Sequence, residues 1–283
     1  MTTQVERPAL TYHRARVTMV RPITPHTVRV TFEAASFAEV PAGAPDQYVK
    51  VFFPLPGQET PNLPDTGSDV LSWYRTYLAM PDGVRPPMRT YTVRAHRPLF
   101  AEIDVDFVLH GDTGPASAWA SRVTPGDRVA FLGPHGLYDV PAGTDWQLLT
   151  GDETALPAIG AIIEQLPAGA RLSAYIEVSA REERQTFETR GAVEVHWLVR
   201  GARPHGEALL EAVRAAAFPS GTPYAWVSGE AGVVKLVRRH LVREREVDKR
   251  RICFTGYWRL GMSEEAASRE SFRAVEAGEL PED

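Results

Sequence analysis

The chain contains a single cysteine, Cys253, among its 283 residues. One cysteine excludes an intramolecular disulfide, and it excludes the four-cysteine sites that hold zinc or iron–sulfur clusters. The sequence also lacks His, Asp and Glu clusters at metal-ligand spacing, and we therefore expect no resident metal. Any redox chemistry must then rely on a bound organic cofactor.

Long apolar runs and an excess of positive charge are also missing. The N-terminus, MTTQVERPAL, has no apolar signal segment, and the apolar stretch AIGAIIEQL is interrupted by Glu164. A membrane-spanning helix needs about 18 or more apolar residues in sequence. The net charge of −5 argues against a general nucleic-acid binder. We predict a soluble, cytoplasmic protein that neither inserts into a membrane nor binds nucleic acid.

The negative charge is concentrated at the C-terminus. Residues 263–283 carry seven acids and two bases, so this tail alone accounts for the net charge of −5. Its Ala/Glu/Arg-rich segment, residues 264–277, is predicted to be a helix that packs on the body through Phe272 and Val275. We hypothesise that it covers or gates an anionic substrate near the basic run at residues 235–251; a solvated acidic tail is the alternative.

Two hydrophobic patterns divide the chain. In the first half, segments such as residues 27–32, 47–53 and 103–110 alternate apolar and polar side chains, and Gly and Pro cluster between them, which favours an antiparallel barrel or sandwich. After about Pro141, apolar segments alternate with helical patterns, which indicates a parallel sheet covered by helices. The predicted fold is therefore a β-barrel followed by an α/β domain.

Two motifs in the first half have the composition of a cofactor site. Residues 89–94, RTYTVR, form a short strand pattern with an arginine at each end, although an edge strand with solvated arginines would look the same. Residues 110–117, HGDTGPAS, turn on two glycines and open a predicted helix with Pro115 near its first position. Free N–H groups at a helix start bind anions; a simple helix cap is the alternative.

The order of motifs along the chain resembles the siderophore-interacting protein family. The motifs are RTYTVR, HGDTGPASAWA, PGDRV, GPHG, GDETALPAI, SGEAGVVKLVRRHL and GYWRLG, and the resemblance covers about residues 16–261. Members are FAD-dependent ferric-siderophore reductases of the ferredoxin–NADP reductase superfamily. The resemblance implies an FAD-binding β-barrel domain over residues 1–140, an NAD(P)H-binding α/β domain over 141–262, and an acidic helical tail over 263–283. It also implies hydride transfer from NAD(P)H to FAD, and then electron transfer to the siderophore's Fe(III), which releases Fe(II).

The same resemblance implies a set of site residues. Arg89 would bind an FAD phosphate, Tyr91 would stack on the isoalloxazine ring, and Thr92 would hydrogen-bond near flavin N5. The other predicted cofactor contacts are Thr90, Asp106, Val108, Leu109, His110, Gly114, Pro115, Ala116, Ser117, Asp152, Thr154 and Trp258. Tyr91, Thr92 and Thr154 are the predicted catalytic residues. A strand-end histidine bonded to backbone is the alternative for His110, and a helix N-cap is the alternative for Asp152 or Thr154. For Thr154 we expect both roles at once, since a cap at the domain crevice faces the ligand cleft.

The substrate is predicted to be anionic. By the resemblance, Lys50, Lys235 and Arg259 are basic siderophore contacts, and cations near a flavin edge favour a ferric catecholate or mixed siderophore. A solvated basic helix face is the alternative for Lys235. Two other functions stay open, a general NAD(P)H–flavin oxidoreductase (diaphorase) and a non-enzymatic siderophore-binding module.

The electron donor is left open between NADH, NADPH and a reduced ferredoxin. Arg181 and Arg184 follow the predicted strand YIEVS and would meet the 2′-phosphate of NADPH. The neighbouring Glu182 and Glu183 argue against a phosphate there, because like charges repel.

Overall fold

The computed structural model describes residues 10–66, 69–111 and 114–276, and the first half of these ranges builds an antiparallel sheet. Its strands are β1 (Tyr12–Thr24), β2 (Thr27–Glu33), β3 (Tyr48–Phe52), β4 (Met88–Thr92), β5 (Ala95–Arg97), β6 (Glu102–Val108) and β7 (Arg128–His135). The hydrogen-bonded order is β4-β3-β7-β1-β2-β6-β5. The sheet curls like a barrel, so that β4 and the segment after it approach β6. The Arg94 N–H donates to the Asp104 carbonyl at 2.8 Å, and the Tyr91 and Phe107 ring centroids are 4.4 Å apart.

Alternating side chains fill the interior of this sheet. Val30 and Phe32 of β2, Val105 and Phe107 of β6 and Phe131 of β7 are all fully buried. Each such side chain contributes about 1.5–3 kcal/mol through the removal of apolar surface from water. This apolar interior holds the strands in register. Strand β4 lies at one edge of the sheet.

A helix that the sequence analysis did not predict, α1 (Val70–Ala79), covers the other face of this sheet. Trp73 and Tyr77, one turn apart, stack at 5.7 Å and pack edge-on against Phe52 of β3. The Asp69 carboxylate accepts the Ser72 N–H at 2.9 Å and caps the helix. The capping pattern D-x-x-S and the aromatic pair at i, i+4 were the signals available in the sequence.

The second half of the described chain builds a parallel sheet. Its strands are β8 (Trp146–Gly151), β9 (Arg171–Val178), β10 (Ala192–Val199), β11 (Pro223–Glu230) and β12 (Ile252–Trp258), in the order β10-β9-β8-β11-β12. Helix α3 (Leu156–Gln165) packs on one face, while α4 (Glu207–Ala215) and α5 (Ala231–Arg243) pack on the other. The chain runs outward in opposite directions from β8 and β11, so the ligand crevice of such folds is expected at their carboxyl ends. The two sheets confirm the predicted fold class.

Two further helices follow β6 and β12. Helix α2 (Pro115–Ala120) follows the glycine turn, and helix α6 (Glu264–Glu276) follows the second sheet. The predicted packing of Phe272 and Val275 lies outside the side chains that the structure describes. Within the described residues, every helix is too short or too polar to cross a membrane.

A buried carboxylate, Asp46, joins the two sheets. Its Oδ1 accepts the backbone N–H groups of Leu137 and Tyr138 at 2.9 and 3.0 Å. Its Oδ2 accepts the indole N–H of Trp226 in β11 at 3.0 Å. Asp46 is only 2% exposed, so each of these donors would lose its partner if the carboxylate were removed.

Ion pairs reinforce this junction. Arg94, just after β4, donates to both oxygens of Glu164 in α3 at 2.7 and 2.6 Å. Glu183 is buried, binds His26 Nδ1 at 2.7 Å, and accepts the Thr24 hydroxyl. The Arg94 link holds the end of β4 against the second half of the chain, and the Glu183 link holds the turn between β1 and β2 against it.

Candidate functional site

Strand β4 carries the RTYT motif at an edge of the antiparallel sheet. On an edge strand, alternate N–H groups point away from the neighbouring strand and stay available to a ligand. The Thr90 N–H and hydroxyl donate to the two carboxylate oxygens of Glu264 at 3.3 and 2.9 Å. The Arg89 guanidinium forms an ion pair with Glu265. A phosphate presents the same anionic oxygens, so this donor set fits the phosphate of FAD.

Tyr91 and Thr92 continue the strand toward the second sheet. The Tyr91 ring packs on Phe107 and is partly buried, and burial raises the pKa of its hydroxyl. Thr92 is 6% exposed, and it lies near the hydroxyl of Tyr257 in β12. Burial also raises the pKa of the Tyr257 hydroxyl. An aromatic plane beside a hydroxyl is the combination that a flat heteroaromatic ring would need.

The glycine turn before α2 is closed by Ser117. The Ser117 hydroxyl donates to the Gly111 carbonyl at 2.7 Å and accepts the His110 N–H at 3.1 Å. A Cβ placed on Gly114 would lie 3.3 Å from the His110 ring, so glycine lets the imidazole pack closely there. Pro115 and Ala116 begin α2, as predicted. The contact of Gly114, Pro115, Ala116, Ser117 and His110 with FAD stays a prediction; Asp112 and Thr113 of the motif lie outside the described residues.

Strand β6 presents its predicted site residues in different surroundings. Asp106 is 3% exposed and binds the Arg29 guanidinium with both oxygens, at 2.6 and 2.8 Å. Val108 and Leu109 are half-buried at the end of the strand. The Asp106 carboxylate is therefore engaged inside the sheet, and its contact with FAD stays a prediction, as do those of Val108 and Leu109.

Three predicted residues of the second half meet at the carboxyl ends of β8, β11 and β12. Asp152 Oδ1 accepts the N–H and the hydroxyl of Thr154 at 2.9 and 2.5 Å. Asp152 Oδ2 accepts the Glu230 N–H at 2.8 Å and the Trp258 indole N–H at 2.9 Å. The alternative of a helix cap is wrong: the N-cap of α3 is Ala155, which makes no side-chain capping bond. The Asp152 carboxylate instead bonds to its own turn and fixes the Trp258 indole.

The sequence analysis missed the polar residues beneath this network. His205 packs edge-on against Trp258, with ring centroids 4.9 Å apart. With Glu177 and Thr150, His205 also lines a cavity of about 10 Å³, roughly the least that one water molecule needs. The Thr150 hydroxyl is fully buried and has no hydrogen-bond partner among the described residues. No local pattern marks these residues, because His205, Glu177 and Thr150 come from three separate parts of the chain.

The three predicted substrate cations lie in different surroundings. Lys50 Nζ of β3 is 3.5 Å from the Thr90 hydroxyl and 5.6 Å from the centre of the Tyr74 ring. Burial lowers the pKa of Lys50, and the charge of Glu264 in α6 opposes that shift. Arg259 pairs with Glu270 of α6 at 3.3 Å. Lys235 is exposed on α5 and makes no hydrogen bond or ion pair within the described part of the chain.

Helix α6 does not lie where the charge pattern suggested. Its described carboxylates contact Arg89, Thr90 and Arg259, and none contacts the basic run at residues 235–251. The reason is the connection: only residues 259–263 separate the end of β12 from the start of α6. Strand β12 ends beside Thr92 of β4, so a helix that follows it so closely meets the edge of β4 first.

Comparison with known proteins leads to the same family as the sequence motifs. The siderophore-interacting FAD-binding domain matches residues 16–138, and the siderophore-interacting protein domain matches residues 144–261. The ferric vibriobactin reductase ViuB of Vibrio cholerae is 30% identical over 250 residues, which are 88% of this chain and 89% of that protein. The NADPH-dependent ferric-chelate reductase of Escherichia coli is 30% identical over 219 residues, 75% of this chain and 79% of that protein.

Solved structures extend this comparison. The structure of a siderophore utilization protein from T. fusca matches with a TM-score of 0.78 at 34% identity, covering 91% of this chain and 96% of that one. A ferredoxin reductase of carbazole 1,9a-dioxygenase matches at 0.60 and 16% identity over 89% of this chain and 69% of that one, which shows a shared fold alone. The resemblance found in the sequence is confirmed: the chain belongs to the siderophore-interacting protein family and carries that family's FAD-binding domain.

Proposed function

We propose that the chain is an FAD-dependent ferric-siderophore reductase that takes its electrons from NAD(P)H. The observation that carries the proposal is the proximity of Thr92 of β4 to Tyr257 of β12. It brings the strand with the RTYT motif to the carboxyl edge of the parallel sheet. Sheets of this kind bind nucleotides at that edge, so one crevice would hold both the flavin ring and the electron donor.

The chain's own residues would divide the work of holding the cofactor. Arg89 and the Thr90 N–H would bind phosphate, and the Tyr91 ring would pack against the isoalloxazine. The Thr92 hydroxyl would donate a hydrogen bond to the ring. When bound, FAD supplies the chemistry that this function needs, accepting a hydride and releasing electrons singly. Thr154, held by Asp152 beside Trp258, would border the nicotinamide.

The names of the relatives support a ferric chelate as electron acceptor. One is named a ferric vibriobactin reductase and another an NADPH-dependent ferric-chelate reductase. The chain itself needs no ligands to iron, since the siderophore holds Fe(III) until reduction. Fe(II) has a lower charge density and binds hard oxygen ligands more weakly, so its release would follow reduction.

The arrangement of charges favours NADPH as the donor, with NADH and a reduced ferredoxin as alternatives. Glu183, which argued against a phosphate, is buried and turned toward His26 and Thr24. Arg181 and Arg184 are exposed beside it. A 2′-phosphate would therefore meet the two arginines with one opposing carboxylate, the exposed Glu182, in place of two.

An absorbance spectrum of the purified protein, followed by anaerobic titration, tests the proposed function. We expect flavin bands that bleach with NADPH at lower concentration than with NADH and recover when a ferric siderophore is added. Recovery with artificial acceptors but not with ferric siderophores would favour the diaphorase. A colourless protein that binds no added FAD would favour the siderophore-binding module.

The Thr92 hydroxyl is expected to act on the flavin ring. Thr92→Val should retain FAD and slow its anaerobic reduction by NADPH about tenfold, equivalent to the loss of about 1.4 kcal/mol in the transition state. Stopped-flow absorbance in the flavin band measures this rate. Thr76→Val removes a hydroxyl that donates only to Ser72 within α1 and serves as the control. Equal rates in both variants would remove Thr92 from the catalytic residues.

The substrate cations are expected to differ in their effects. Lys50→Ala should raise the KM for an anionic ferric catecholate about fivefold, since a partly exposed charge pair contributes up to about 1 kcal/mol. Lys235→Ala should change this KM little, because Lys235 is exposed on α5 and bonds to none of the described site residues. The Lys50 effect should shrink as salt is added. Steady-state kinetics at two ionic strengths measure these effects. An equal rise in KM for both variants would contradict the prediction.

A further inference from the structure

One acidic helix occupies the predicted ligand residues of both cofactor and substrate. Glu264 binds Thr90 and lies close enough to Lys50 to oppose the lowering of the Lys50 pKa by burial. Glu265 pairs with Arg89, and Glu270 pairs with Arg259. These contacts come from the first two turns of α6, and they reach across a sequence separation of 174 residues between Thr90 and Glu264.

We propose that α6 is a tethered anion that competes with the substrate, so that docking of α6 and binding of an anionic ferric chelate exclude each other. The proposal rests on the proposed function, because the competing ligand is the ferric siderophore. A chelate that carries several negative charges would need Lys50 and Arg259, the same two cations that Glu264 and Glu270 approach. Because FAD would take Arg89 and the Thr90 N–H, the competition in the FAD-loaded protein is confined to these two cations. A chelate must therefore bind these cations strongly enough to displace the carboxylates of α6.

Apart from the Arg89–Glu265 pair, whose side chains are only 19% and 26% exposed, the contacts of α6 are of a kind that exchanges readily. In the Arg259–Glu270 pair the side chains are 51% and 61% exposed, and such exposed pairs are weak and readily exchanged. The Glu264 carboxylate bonds to an edge-strand N–H and a hydroxyl, groups that another anion could take over. A permanent packing contact would instead use buried ion pairs such as Arg29–Asp106.

The connection to α6 can serve as a pivot. Gly261 has a φ of +78° with no neighbour within 4 Å of a Cβ placed on it. Glycine adopts this left-handed conformation at little cost. A short bridge between Arg259 and Met262 precedes the helix, so α6 can leave the edge of β4 while β12 stays in its sheet.

Hydrogen exchange tests the exclusion without requiring turnover. The probe is a Ga(III) tris-catecholate, which has the charge and shape of the ferric complex but is not reduced under these conditions. On addition to the FAD-loaded protein, the amides of α6 should lose protection. Unchanged or increased protection of α6 in the saturated complex would overturn the proposal, because the helix would then be part of the bound state. Fast exchange in α6 before any addition would overturn it too.

Kinetics of a charge variant give the second arm. Glu264→Gln/Glu270→Gln, which removes the two charges that face Lys50 and Arg259, should lower the KM for a ferric tris-catecholate about tenfold with little change in kcat. The matched control, Glu39→Gln/Glu188→Gln, removes the same charge from exposed positions in other elements and should change KM less than twofold. An unchanged KM, or an equal fall in both variants, would overturn the inference. Loss of all ferric reduction in the wild-type protein would instead overturn the proposed function.

Discussion

Arg89→Ala is expected to leave the protein folded but without FAD. The guanidinium is the one fixed positive charge in the RTYT donor set, and it already binds an anion, the Glu265 carboxylate. Charge-assisted bonds to a guanidinium fork contribute about 1.5–3 kcal/mol, so the affinity for FAD should fall by about a hundredfold. The ratio of flavin to protein absorbance after gel filtration measures the loss.

Two comparisons make this result specific. Arg89→Lys keeps the charge but loses the planar fork, and we expect it to retain part of the flavin. Arg21→Ala removes an exposed arginine from β1 of the same sheet and should retain all of it. Circular dichroism shows whether each variant is folded. Full flavin content in a folded Arg89→Ala protein would contradict the assignment of Arg89 to the phosphate.

Asp46→Ala is expected to cause the largest loss of stability. The carboxylate accepts bonds from Leu137, Tyr138 and Trp226, and alanine would leave the buried Trp226 indole N–H and two partly buried backbone N–H groups without this acceptor. An orphaned buried donor costs about 1–3 kcal/mol, and we expect the free energy of unfolding to fall by about 4 kcal/mol. Urea unfolding measured by tryptophan fluorescence gives this value.

The position of Asp46 gives the variant a second consequence. Its bonds join the first sheet to β11 of the second, so their loss should also loosen β4 from the nucleotide edge and slow flavin reduction. Asp139→Ala, an exposed aspartate shortly after β7, should change stability by no more than about 0.5 kcal/mol. If the two variants unfold at similar urea concentrations, Asp46 does not hold the junction.

Local patterns in the sequence were sufficient for the fold class and the family. The period of two in β2 (Thr27–Glu33) and β3 (Tyr48–Phe52) and the apolar stripe of α3 (Leu156–Gln165) are repeated at short range, and each is decided by neighbours in the chain. The RTYT and GYWR motifs are likewise read within a few residues. Such signals predict which elements form, and they carried the family resemblance that the comparisons confirmed.

Short-range patterns also failed where two or three residues alone decide an element. Helix α1 (Val70–Ala79) follows a long loop rich in Pro and Gly, and just two of its side chains, Trp73 and Tyr77, are buried. With so narrow an apolar face, its stability comes from packing on Phe52 of β3. That surface exists only after the sheet has formed.

Pairings between distant residues were decided by the tertiary structure alone. Charge composition marked the C-terminal tail as acidic, yet its partners, Arg89 and Thr90, follow from the end of β12 meeting the edge of β4. Asp106 carries the same type of side chain as Asp152, but the one is neutralised by Arg29 inside a sheet and the other orients Trp258. The sequence determines which side chains are charged; which opposite charge or hydrogen-bond donor each one meets depends on strand order and connection length, because electrostatic and hydrogen-bond contacts act only over a few ångströms.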